Sequence, residues 1–325
     1  MLLRLVGLPL LLAAAIVQAQ ESVPGRRAHH SLVYDDGSKR VILAGGSTPI
    51  EGGRTFTLFN DVWAFDGTRW TSLGAAGPGF SGAAVAWDSR QQRIVSFGVY
   101  DGRGSSGALR VLQGSAWNTV GEHPSIRAAE PGFVYDTRRD RFIAFGGSAG
   151  RGTALGETWA LSGTTWSKVD VPGPPARQAH AMVFDAKRNV VVVFGGMGTG
   201  APGQPPPLFG DTWEFDGTTW TQKQVTGPAA RNSAGATFDS KRGVVVLFGG
   251  SGPDGFFGDT WSWDGTAWRK LAATGPEARV MGYMAYDRNR DRVVLFGGRK
   301  GWPDGDLNDT WEWDGNSWRR VTTQH

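Results

Sequence analysis

Five arginines recur at matching places along the chain: Arg27, Arg127, Arg177, Arg231 and Arg279, with Arg127 one place early in register. A guanidinium grips carboxylate, sulfate or phosphate bidentately. Brought to one place and left uncompensated, the five would favour an anionic ligand. The other reading is that they bridge neighbouring units by bonding carbonyls and loop acids. His30 and His180 follow Arg27 and Arg177 by three residues, and His29, Glu130, Asn232 and Tyr283 fall near them. A positioned imidazole or carboxyl can shuttle protons. His180 and Glu130 are therefore the candidates for acid–base work.

Other chemistries lack their residues. The chain has no cysteine, which excludes disulfides, thiolate zinc sites, iron–sulfur clusters and a cysteine nucleophile. The five histidines are His29, His30, His123, His180 and His325, and no pair has zinc-type spacing with a carboxylate on one strand face. No metal and no cofactor is expected. Gly-Gly pairs are frequent, but no Gly-x-x-x-x-Gly-Lys motif or helix start follows them, so they are not a phosphate loop. They are expected to let a neighbouring indole lie on bare backbone. The net charge of +4 comes from 34 basic against 30 acidic residues, interspersed rather than gathered on a stripe. That argues against a nucleic-acid partner.

The elements that must position these side chains are six copies of one unit. A closing tryptophan marks each copy: Trp70, Trp117, Trp166, Trp220, Trp268 and Trp318. Strand A ends in aromatic-Asp, as in Tyr34-Asp35 and Phe184-Asp185. Strand B is a β-branched run such as Val190 to Phe194, stopped by glycines. Strand C reads Asp-Thr-Trp-x-aromatic, as in Asp211 to Phe215. An Asp-Gly turn, such as Asp216-Gly217, leads to strand D at the closing tryptophan. Four-stranded units of this length, repeated six times, predict an all-β, six-bladed β-propeller with four antiparallel strands per blade. The blades are expected at about 27–74, 80–121, 127–170, 177–224, 231–272 and 279–323. Each is expected to come from one contiguous segment, with blade 2 the least regular, because Arg110 stands where the other copies have tryptophan.

Residues 1–19 read as a secretory signal peptide. Arg4 gives a positive start, Leu5 to Val17 is an apolar run too short to span a bilayer comfortably, and Ala19-Gln20 is the cleavage site. No later segment is apolar enough to cross a membrane. The expectation is a single exported propeller over residues 20–325, periplasmic or extracellular, and monomeric.

The pattern Arg-x-x-His, Phe-Gly-Gly, Asp-x-Trp-x-Phe-Asp and a closing tryptophan resembles the kelch repeat, over residues 27–321. The likeness is to secreted, bacterial-type members with the galactose-oxidase-like central fold but not its catalytic residues, since the copper radical site needs a Tyr–Cys crosslink. The loop Glu, Asp and His set of iron-dependent kelch proteins is missing too. The resemblance implies that the D–A and B–C loops surround the channel mouth and bind ligands. On that face the expected ligand-binding residues are Arg27, His30, Arg127, Arg177, His180, Arg231, Asn232, Arg279, Tyr283 and Trp302, with Arg54, Tyr100 and Asp101 as loop contacts. Trp302 is the one tryptophan outside the repeat. The opposite face gathers basic A–B turns and acidic C–D turns, read either as a solvated charge ring or as a face for an anionic envelope surface. The leading expectation is a binding or scaffold propeller recognising a protein loop or an acidic glycan. The alternative is a periplasmic mutarotase or epimerase of an acidic sugar such as sialic acid, with the arginines as clamp and His180 or Glu130 moving the proton.

Overall fold

The computed structural model describes residues 23–322, apart from 124, 151, 272, 273 and 304. The expected signal peptide and its cleavage site lie outside the described residues. Six four-stranded antiparallel sheets form the fold, each built from strands consecutive around the ring. Two short hairpins, Ser47–Ile50 with Thr55–Leu58 and Ser251–Gly252 with Gly255–Phe256, extend the B–C loops of blades 1 and 5. The six A strands start at Ser31, Ala84, Gly132, Ala181, Gly235 and Tyr283. Each touches the A strands of both neighbouring blades, so strand A is innermost and the ring closes where Ser31–Asp35 meets Tyr283–Asp287. The last strand, Trp318–Arg320, pairs with Thr310–Trp313 in its own blade. No exchange of termini closes the ring among the described residues.

Strand B explains its own sequence. Val190–Phe194 is apolar at every position because both of its faces lie under neighbouring blades, and only Val190 is not fully buried. Blade 2 is the least regular, as Arg110 suggested. It carries two register shifts, at Phe97/Val99 and Thr119/Gly121. Blade 1 has one, at Val62/Trp63.

The closing tryptophans weld the blades. Trp220 packs on Ile143 and Phe145 of blade 3, and the same contact recurs around the ring. Their indole N–H groups donate to a strand C threonine of the preceding blade: Trp220 to Thr158, Trp268 to Thr212, Trp318 to Thr260 and Trp70 to Thr310, all at 2.8–2.9 Å. A buried indole thus gains both area and a satisfied donor.

The glycine pairs do something other than expected. A Cβ on Gly146, Gly195 or Gly249 would sit 2.5 Å from the carbonyl oxygen of Arg177, Arg231 or Arg279 in the next blade. The second glycine of each pair donates its N–H to that same carbonyl, as Gly196 does to Arg231 at 2.8 Å and Gly298 to Arg27 at 3.0 Å. The pairs let backbone meet backbone across a seam. Bare backbone under an indole is found instead in the Gly-Pro connections, at Gly173, Gly227 and Gly275.

Candidate functional site

The arginines come first, because their placement corrects the expected anion clamp. Arg27, Arg177, Arg231 and Arg279 are 0–2% exposed. Each is bound bidentately to an acid at the start of strand C: Arg27 to Asp61 (2.5 and 2.7 Å), Arg177 to Asp211, Arg231 to Asp259 and Arg279 to Asp309. Each also donates to the carbonyl of the first glycine of its blade's pair, and the strand C tryptophan donates to the same acid. Phe59, Phe209 and Phe257 stack on three of the guanidiniums. Burial alone would raise these aspartates, but the guanidinium bonds outweigh it and hold them below the ordinary carboxylate range. Four positive charges are thereby consumed inside the blades, and none is left to clamp a ligand. Blades 2 and 3 lack the unit: Phe80 and Ala108 stand in the Arg and Asp places of blade 2, Ala128 and Glu157 in those of blade 3. Arg127 is 71% exposed and pairs with Glu122 at 3.4 Å.

At the D–A end of the channel, six residues with positive φ form a ring: His29, Gly82, Glu130, Ala179, Ser233 and Met281. Backbone bonds run from Gly82 to His29, Glu130 to Gly82, Ser233 to Ala179 and Met281 to Ser233, at 2.8–3.0 Å. These bonds over-determine a conformation that non-glycine residues otherwise avoid. His29 Nδ1 lies 2.6 Å from Glu130 Oε1, so the two side chains bridge over Gly82. Burial would raise the Glu130 carboxyl, but the His29 imidazole more than offsets it. Tyr283 stands beside them, its hydroxyl pushed up by burial and by the Glu130 carboxylate. None of the six ring residues is fully exposed. This end of the channel is narrowed rather than open.

The histidine candidates sit in the seams. His30 is 1% exposed and meets Tyr283 and Phe296 edge-on, while His180 meets Phe145. All four of their ring nitrogens lack a protein partner. Burial, with Arg27 and His29 adding, lowers His30 well below its ordinary value, and burial with Arg177 lowers His180 to about 3. A proton carrier working near neutral pH needs a value near neutral, so His180 does not suit the expected shuttle. Glu130 is committed to His29.

The B–C loops hold the remaining candidates. Trp302 is 57% exposed, with Phe56 5.8 Å away and the Arg299 guanidinium 4.8 Å from its ring. Arg299 is itself bound to the buried Asp306. Tyr100 is exposed, and Asp101 caps its own hairpin by accepting from the N–H groups of Arg103 and Gly104. Asn232 accepts from Ser233, and Arg54 is exposed. On the opposite face, the strand A aspartates accept from their own turns, as expected, for instance Asp185 from the N–H groups of Lys187 and Arg188. Arg139, Arg188, Arg242 and Arg290 each pair with that aspartate. Arg139 and Arg242 also reach the C–D turn of the next blade, at Asp216 and Asp314. Sequence reasoning missed these pairings, although Arg and Asp appear together in blades 1, 4, 5 and 6.

Blade number, strand order and the recurring Arg–Asp–Trp unit define a kelch-type propeller. The family model described as the KLHDC2/KLHL20/DRC7 Kelch-repeats domain matches residues 138–325, more than half of the chain, and the chain belongs to that family. It is similar to an F-box/kelch-repeat protein of Arabidopsis thaliana, 26% identical over 224 residues, covering 61% of this chain and 44% of the plant protein. It is also similar to the flagellar outer-arm dynein alpha chain of Chlamydomonas reinhardtii, 30% identical over 150 residues, covering 42% of this chain and 3% of the dynein. The chain thus spans less than half the length of these relatives. Propellers of this kind are typical protein-binding scaffolds. No helix among the described residues is long and apolar enough to cross a membrane.

Proposed function

We propose that this protein is an exported, monomeric kelch-repeat scaffold whose D–A/B–C face binds a protein loop. One observation carries the reading. Of the eight large hydrophobic residues that are exposed, five lie on the B–C loops: Ile50, Phe56, Tyr100, Phe256 and Trp302. Aromatic anchors on variable loops over a rigid ring are the usual form of a protein-recognition surface. An acidic glycan is the weaker reading, because the arginines that would grip it are spent on aspartates.

A photo-crosslinking residue at Phe56, compared with one at Thr218 on the opposite face, tests the reading in an extract of the compartment where the protein is found. Discrete protein adducts from position 56 and none from 218 are expected. Adducts from 218 alone would overturn the assignment of the face. Export rests on the composition of residues 1–19. Expressed in a bacterial host, the chain is expected outside the cytoplasm with Gln20 at its N-terminus. Recovery in the cytoplasm with Met1 intact would refute it.

A further inference from the structure

The channel inside the six A strands is a cavity of about 360 Å³. A cavity of ~150 Å³ suffices for benzene, so this one has room for a ring with substituents. It is not open alike at its two ends. At the D–A end, Tyr283 and the His29–Glu130 bridge narrow it. At the other end its lining reaches Thr137, Ala186, Ser240 and Arg288, the first residues of the A–B turns, all exposed. The way in is from the A–B turn face, opposite the face assigned above to a protein partner.

Orphaned polar atoms gather around this cavity. Ten buried side-chain nitrogens among the described residues have no hydrogen-bond partner, and five belong to three residues of its lining: His30, His180 and Trp87. Buried polar groups normally find partners, so such a concentration calls for one from outside the chain. Charge selects its class. No carboxylate or ammonium lines the cavity, and the one guanidinium, Arg288 at the rim, pairs with Asp36 at 2.9 Å. Burial keeps both imidazoles neutral, so each offers one donor and one acceptor. Trp87 offers a donor only. Val33, Val85 and Met182 supply apolar wall.

We propose that the channel is a binding pocket, entered from the A–B turn face, for a small uncharged molecule with an apolar body and a hydroxyl or amide head. An anion would meet no free cation inside, and an ammonium no free carboxylate.

Four probes of similar shape test this on the mature chain: benzyl alcohol, toluene, benzoate and benzylamine. The readout is the indole N–H resonance of Trp87, assigned by its loss in Trp87→Phe. Benzyl alcohol is expected to shift it saturably, toluene to bind about fivefold more weakly for want of one hydrogen bond, and the two ions to leave it in place. His180→Leu and His30→Leu are expected to weaken benzyl alcohol by a similar factor, and Trp302→Ala, on the other face, to change nothing. No saturable shift at the solubility limit, or equal binding of benzoate or benzylamine, would overturn the proposal. The inference stands apart from the protein-binding face, because crosslinking at Phe56 reads a different surface.

Discussion

The indole N–H of Trp70 in blade 1 donates to the hydroxyl of Thr310 in blade 6 at 2.9 Å, across the seam where the two ends of the chain meet. The same bond joins three pairs of blades that are consecutive in sequence, so the closing seam is built like the others. Thr310→Val removes the acceptor and strands a buried donor. A loss of about 1–3 kcal/mol in urea unfolding is expected, with Thr310→Ser near wild type.

The seam between blades 1 and 2 shows the reverse. Val62 holds the place of the threonine there, and the Trp117 indole nitrogen is buried with no partner. Val62→Thr supplies an acceptor of nearly the same shape. A gain of about 1 kcal/mol is expected, lost in the Trp117→Phe background.

Removing one partner of a buried ion pair leaves the other charge stranded. Arg177→Ala or Asp259→Asn should cost about 3–5 kcal/mol in denaturant unfolding. Arg127→Ala, at an exposed pair, should stay within about 0.5 kcal/mol. Equal effects would mean that the four buried pairs do not hold the blades together.

Acid should weaken the fold through His30 and His180. Their folded values lie below the unfolded one of about 6.5, with His180 at about 3. Below pH 6.5 the unfolded chain takes up protons that the folded chain refuses. Their contribution is complete above pH 6.5 and is lost as pH falls towards 3, by up to about 1.4 kcal/mol per pH unit for each histidine. Arg27 and His29 face His30, and Arg177 faces His180, all opposing protonation. His180→Leu should flatten the stability profile between pH 4 and 6, measured by thermal unfolding. The paired aspartates, whose values are lowered, act in a more acid range.

Much of this protein was legible in its sequence. The closing tryptophans and the Asp-Thr-Trp strands determine six four-stranded blades, because only stacked sheets can bury a strand as apolar as Val190–Phe194 on both faces. The aspartates ending strand A and the exposed Trp302 were equally readable, since a turn cap is local and a residue outside the repeat has no slot in the core. The fate of the arginines was not. Arg27 meets Asp61 across 34 residues of chain, and only the folded blade brings a strand entry and a strand C together. The repeat held a signal, since blades 2 and 3 lack the buried arginine and carry no aspartate in its partner's place, but a recurring arginine alone reads equally as clamp or brace. The channel was hidden for the same reason. His30, Trp87 and His180 come from three blades, and the closing of the ring decides that they line one cavity while the His29–Glu130 bridge narrows its far end.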